Sequence, residues 1–289
     1  MLLLLFCSSF LFIAGCNTLP SGENVFDSSS DEKETFTEKP SLTLEEAIEN
    51  TESDLLERFW FRAHIANNIE KRRITHMTIN GIVVRPHGYY MINTLMTKQY
   101  EYYRWDDEVF IRHEQNWFRA REPELAFDPF YGFSEWKRYL QRAQLVRQDN
   151  VLGIPTFVYE IQLTGKELLD NHPSFFAPLK TDELEKITPI LEQSTIKVFF
   201  YVGDVDNEQF QNKVLPVIYK FQAIIQMPVA GAGYMEQEVQ YFIFRVNDES
   251  VELTPKEEIE KYVIDMDEYQ SMILDKLDEE ISKFVPAQK

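Results

Sequence analysis

One thiol stands where its neighbours define its chemistry. Cys16 follows an apolar leader, Leu2 to Phe12, and comes directly after Ile13-Ala14-Gly15. A branched apolar residue and two small ones let a peptidase bring this backbone close to its catalytic groups. The cysteine behind them is placed to take a diacylglycerol thioether, with cleavage on its N-terminal side. The remaining candidates promise less. His64, His76, His87, His113 and His172 are scattered. His64 and His76 fall on neighbouring predicted strands, but with no carboxylate or cysteine beside them they face solvent more often than they hold a metal. Asp204-Val205-Asp206-Asn207-Glu208 has the alternating oxygens of a calcium loop. Gln209 stands where the turn glycine belongs, so a turn accounts for the run better. There is no nucleophile-elbow serine, no histidine pair at metal spacing on a helix and no glycine-rich phosphate loop. The expectation is a protein that is not an enzyme and takes no metal or cofactor.

Ile13-Ala14-Gly15-Cys16 resembles a bacterial lipobox. The leader is shorter than the roughly 20 apolar residues of a spanning helix and matches the apolar core of a secretory signal. It lacks the usual basic residue ahead of that core. Residues 1–15 are read as the signal peptide and Cys16 as the site of lipid attachment. The expected place is outside the cytoplasm, anchored to the cell membrane. Cys7 leaves with the leader, and once Cys16 is acylated no thiol remains. That excludes disulfides, thiol catalysis and zinc–cysteine sites.

Net charge is −19, unevenly spread. From Asn17 to Leu56 eleven acids face two bases, whereas from Glu57 to Asn150 fifteen bases face twelve acids. So acidic a chain is a poor partner for nucleic acid, whose affinity rests on Lys and Arg neutralising phosphates. It is equally poor at lying flat on anionic lipid, which leaves acyl chains as the means of membrane attachment. Residues 16–41 read as the lipidated cysteine and a disordered acidic tether, with Ser28-Ser29-Ser30-Asp31-Glu32 polar and aperiodic.

Two kinds of element must carry the rest. Thr43-Leu44-Glu45-Glu46 has the spacing of a capping box and predicts a helix to about Glu57. The period then changes to two through Phe59, Phe61, Ala63 and Ile65, and again through Met77, Ile79, Gly81 and Val83. Further strands are expected at Tyr89–Thr97, Tyr100–Trp105, Val109–His113 and Trp117–Arg121. A helix from Phe133 to Leu145 should precede a strand through Phe157, Tyr159, Ile161 and Leu163. A short helix near Asp182 to Leu191, interrupted by Pro189, comes next. Strands at Ile196–Val202, Val214–Met227 and Tyr234–Val246 follow. Such strands with short polar turns make an antiparallel sheet, which must bury one face against the helices.

This order of elements resembles the LolA/LppX-type lipoproteins. The stretches Gly88-Tyr89-Tyr90 through Tyr100-Glu101-Tyr102-Tyr103 to Trp117, and Tyr241 to Val246 with the return to Pro255, carry the likeness. The resemblance implies an α+β fold over residues 42–253: a curved antiparallel sheet, an unclosed β-barrel, with helices packed in its concavity. It also implies a lipid or acyl chain bound between sheet and helices. On that reading Phe59, Phe61, Met91, Tyr102 and Phe157 line the cavity, together with Tyr159, Phe200, Phe221 and Phe242. The alternative is the same scaffold with a filled core, an envelope protein that binds other proteins. Arg62, Arg85, Arg104, Arg112, Arg119 and Arg121 would suit an anionic headgroup at the mouth, or else simply face outward against nearby acids.

Residues 254–289 read as a long amphipathic helix. Thr254 would cap it, Glu257 would complete the box, and Ile259, Tyr262, Val263, Met266, Tyr269, Ile273, Leu277, Ile281 and Phe284 form its apolar stripe. Its first part, Ile259 to Tyr269, should dock on the sheet, and the remainder is expected to reach beyond it to an envelope partner or a second copy.

Overall fold

The computed structural model describes residues 40–69, 72–95, 98–113, 115–119, 133–171, 181–207, 214–229 and 233–265. The Cys16 region and tether, Arg121, His172 and the stripe from Met266 to Phe284 lie outside the described residues.

Thr43 opens the first helix as its spacing predicts. Its hydroxyl accepts from the Glu46 amide at 3.2 Å, and the Glu46 carboxylate accepts from the Thr43 amide at 2.8 Å. Helix α1 spans Leu44–Glu52 and ends sooner than expected. The Ser53 hydroxyl donates to the Asn50 carbonyl, and Arg85 donates to the carbonyls of Thr51 and Ser53. These bonds satisfy the acceptors that a helix end leaves open. Leu44, Ala47 and Ile48 are buried, while Leu55 beyond the end is exposed.

The strands form two sets. β1 (Arg58–Ile69), β2 (Arg72–Val84), β3 (Gly88–Leu95), β4 (Lys98–Trp105), β5 (Glu108–His113) and β6 (Asn116–Arg119) are the first. β7 (Gln144–Val151), β8 (Ile154–Thr164), β9 (Thr195–Gly203), β10 (Ile218–Val229) and β11 (Gly233–Phe244) are the second. They build one 11-stranded sheet in the order β6-β5-β4-β3-β2-β1-β11-β10-β9-β8-β7, antiparallel at every ladder. β1 is the seam between the sets. β6 and β7, consecutive along the chain, are the two outer edges, so this is an up-and-down meander that has not closed into a barrel.

A 3₁₀ helix (Ser134–Arg142), α2 (Gly165–Asn171) and α3 (Thr181–Glu192) join α1 on the inner face, chiefly over β8, β9 and β10. The 3₁₀ helix stops at Arg142 rather than reaching Leu145, which belongs to β7. β7 escapes a reading by alternation because it is an edge strand, half-exposed on both faces. Pro189 lies inside a continuous α3 rather than interrupting it. α2 was not anticipated, yet Thr164 and Glu167 hold the same reciprocal cap as Thr43 and Glu46.

The C-terminal expectation is corrected over residues 254–265, and the rest of it lies outside the described residues. Only α4, Lys256–Glu260, is helical among the described residues after Phe244, with Pro255 at its N-cap and no side-chain cap bond. Beyond it the chain extends beside the edge strand. The Trp117 amide donates to the Tyr262 carbonyl at 3.1 Å and the Ile264 amide donates to the Trp117 carbonyl at 2.9 Å, a parallel bridge. Ile259 is buried against Tyr103, Phe110 and Trp117, with Leu253 and Val263 packed on the same cluster. Covering such rings is worth roughly 1.5–3 kcal/mol per buried side chain, against tenths for helix propensity. Burial therefore decides the path.

Candidate ligand-binding face

Ladder registers sort the side chains onto two faces. One inward row runs Ile243–Phe61–Gly81–Met91–Tyr102–Ile111. Gly81 is required there: a Cβ would sit 2.5 Å from the Phe61 ring and from the Tyr90 carbonyl oxygen. The next row runs Tyr159–Phe200–Phe221–Tyr241–Ala63–Ile79–Asn93–Tyr100. Phe59 points inward beside Val83, and Phe157 is buried opposite Val202. Phe242 stands on the other face. On β11 the inward set is Met235, Gln237, Val239, Tyr241 and Ile243, and Phe242 carries the Lys220 ammonium 5.2 Å from its ring centroid.

The two sides of this inner face differ. Over β9–β11 the helical connection drives Phe133 and Trp136 into the strand aromatics. Their ring centroids lie 5.6 and 5.8 Å from Phe221, 6.4 and 5.9 Å from Phe200, and Phe133 is 6.4 Å from Tyr241. Phe200, Phe221, Ala223, Val239 and Tyr241 are all buried. Over β3–β5 the wall is more open. Ile79 and Met91 are each 3% exposed, but Asn93, Tyr100 and Ile111 beside them are half-buried only. The Asn93 Oδ1 atom is itself buried and has no hydrogen-bond partner among the described residues. Sequence reading passed over Asn93, although it is a lone amide in an apolar alternation after Tyr89 and Met91.

Charge is kept to the margin of the inner wall. Inward positions on β1–β5 and β8–β11 are mostly apolar, aromatic or amide. Thr75 is a hydroxyl, and Arg104, opposite Tyr89 and Val109 near the end of β4, donates to the Asp106 carbonyl at the hairpin. Asn67 and Gln237 form a buried amide pair at 2.9 Å. Burial pushes the Tyr102 hydroxyl above its ordinary range, with Tyr100 adding to it, and holds Tyr159 at about 12. Both are neutral donors. The arginines proposed for a headgroup serve elsewhere. Arg62 donates to Asn80 and Arg112 pairs with Glu101, both on the outer face. Arg119 pairs with Glu108 and Glu260, Arg85 closes α1, and Arg104 binds the Asp106 carbonyl at a hairpin.

His64 and His76 do meet on the outer face, with ring centroids 6.3 Å apart. Among the described residues no group of three or more His, Cys, Asp or Glu side chains is arranged to hold a metal. Asp204 is buried and its carboxyl accepts from the Asp206 amide at 3.2 Å, as a turn requires. Among the described residues no helix is long and apolar enough to cross a membrane.

No family model matches this chain, and no curated protein matches it. Solved structures do. The lipoprotein LppX of Mycobacterium tuberculosis is similar at 9% identity over 70% of this chain and 91% of its own, with a TM-score of 0.39. LprF of Mycobacterium bovis is similar at 8% identity, covering 73% and 92%, with a TM-score of 0.42. A LolA-superfamily protein of Nitrosomonas europaea shares 8% identity over 74% and 99%, with a TM-score of 0.25. LppX and the LolA superfamily are the names that the element order resembles in sequence. The half-barrel architecture itself rests on the eleven-strand ladder described above.

Proposed function

We propose that this protein is a non-enzymatic extracytoplasmic lipoprotein, anchored through lipid on Cys16, that holds a hydrophobic or amphiphilic ligand against the inner face of β3–β5. The observation that carries the reading is the asymmetry of that face. Its β9–β11 side is plugged by Phe133 and Trp136, while its β3–β5 side keeps Asn93, Tyr100 and Ile111 within reach of solvent. An apolar wall with a few convergent polar groups is the usual make-up of a small-molecule site. The acidic tether, residues 17–41, then sets the distance from the membrane. At about 5–6 Å per square root of residue number it reaches roughly 25–30 Å.

The test is native mass spectrometry of the untagged chain from Asn17 onward, with extraction and identification of what co-purifies. A stoichiometric lipid supports the reading, and a chain of bare mass that takes up no added lipid sinks it. Replacing Cys16 with Ser should abolish membrane retention. The same plug supports a second reading, a filled scaffold for an envelope protein partner, which gains if no lipid is found.

A further inference from the structure

We infer that the ligand is an uncharged amphiphile bearing a hydroxyl group, and that Asn93 receives that hydroxyl. This rests on the reading that the inner face holds a ligand, and it adds the chemical class. Two independent observations lead there. The first is the Asn93 amide, whose oxygen is buried without a partner between Ile79 and Tyr100 in the inward row. A buried acceptor left unpaired bears its desolvation cost uncompensated, so a group that completes it binds with an advantage. A hydroxyl is donor and acceptor at once, and it satisfies the amide in either orientation.

The second observation is that charge on this wall is confined to its margin, where Arg104, inward by register next to the β4–β5 hairpin, already donates to the Asp106 carbonyl. An ionised carboxylate, phosphate or ammonium drawn onto it beside Asn93 would lose its hydration and find no free counter-ion there. Arg62, Lys220, Arg112 and Arg119 all point outward from β1, β10, β5 and β6, and Arg104 is engaged at the hairpin. The polar groups around Asn93 are neutral: its own amide, the Asn67–Gln237 amide pair, and the hydroxyls of Tyr100 and Tyr102. Such a wall accepts an apolar chain with a hydroxylated, uncharged head and rejects a charged one.

Three oleoyl compounds separate these elements by displacement of Nile red from the full chain carrying Cys16→Ser. Monooleoylglycerol is neutral and hydroxylated, methyl oleate is neutral without a hydroxyl, and oleate is charged. Monooleoylglycerol should bind about tenfold more tightly than methyl oleate, the value of roughly one hydrogen bond, and oleate should bind most weakly. Asn93→Leu should erase the gap between the two neutral compounds and leave methyl oleate unchanged. Asn93→Thr, which restores a polar partner, should recover part of it. If oleate binds as tightly as monooleoylglycerol, or the gap survives Asn93→Leu, the inference is overturned while the ligand reading stands. If none of the three displaces the dye, the ligand reading fails and takes the inference with it.

Discussion

Both halves of this sheet bury their inner face, but the first half buries part of its outer face too. Strands β8–β11 bury their inner face, under α1, the 3₁₀ helix, α2 and α3, with Phe200 and Ala223 completely inaccessible. Strands β4–β6 bury their outer face as well, under the C-terminal segment, with Tyr103 and Phe110 equally inaccessible. The difference follows from where the aromatics fall. On β9 and β10 the largest inward side chains, Phe200 and Phe221, call for helices inside. On β4–β6 the outward Tyr103, Phe110 and Trp117 would otherwise be an exposed apolar patch, and the chain returns to cover them. Ion pairs from Lys256 to Glu108 and from Arg119 to Glu260 pin the cover at its rim. The inner face of β3–β5, where Asn93, Tyr100 and Ile111 are only half-buried, is the more accessible part of the wall.

The comparison breaks most severely at the inner plug. Phe200→Ala removes a ring packed 5.3 Å from Phe221 and 5.9 Å from Trp136. It should cost about 3–5 kcal/mol, the usual range for a buried aromatic, read as a fall in the urea midpoint. A loss under about 1 kcal/mol would mean that the second half is not held from inside. The outer cover should be less costly. Ile259→Ala removes one apolar contact at the margin of the Tyr103–Phe110–Trp117 cluster and should cost about 2 kcal/mol. Hydrogen exchange should localise the effect to β4–β6, with β9 and β10 amides unchanged. Equal loosening of both halves would show that the two cores act as one.

Three sequences of the form Thr-x-x-Glu measure how much of this was legible from the chain. At Thr43–Glu46 the spacing and the structure agree. At Thr164–Glu167 the same cap forms but went unread, because the strand alternation through Leu163 runs straight into it and Gly165 discourages a helix. At Thr254–Glu257 the cap was expected and does not form. There the Thr254 carbonyl accepts from the Tyr103 hydroxyl, and tertiary burial overrides the local signal. Period-two alternation placed the inward rows of β1 and β2 correctly, since a strand with one buried face prints that face in sequence. Phe242, named for the cavity on the family resemblance, falls on the other face: β11 has large side chains on both sides, and the parity shows only in the ladder with β1. Asn93 was overlooked because one amide in a strand has no meaning until its neighbours are known. The caps give a matched test. Thr43→Ala and Thr164→Ala should each cost about 1 kcal/mol, and Thr254→Ala close to nothing. A comparable loss at Thr254 would restore a capping role there.

The seam between the halves offers the smallest and most specific effect. His64 lies on β1, opposite Thr78 of β2 and Gln240 of β11, with His76 and Arg73 on one side and Glu238 on the other. Burial lowers its affinity for a proton below that of a free imidazole at 6.5, Arg73 and His76 lower it further, and Glu238 works against them. The folded state therefore binds the proton less well than the unfolded chain. Above 6.5 both states are neutral and His64 carries no penalty. As pH falls through 6.5 the unfolded chain takes up the proton first, and the stability contributed by the neutral ring is lost. Urea midpoints should decline over that interval, and His64→Gln should flatten the decline. Glu238→Gln should steepen it, because it removes the acid that favours the charged ring, and the His64 imidazole should titrate below 6.5 by NMR. A His64→Gln protein with an unaltered pH slope would show that the seam is indifferent to this charge, and that the two halves are joined by the β1 ladders alone.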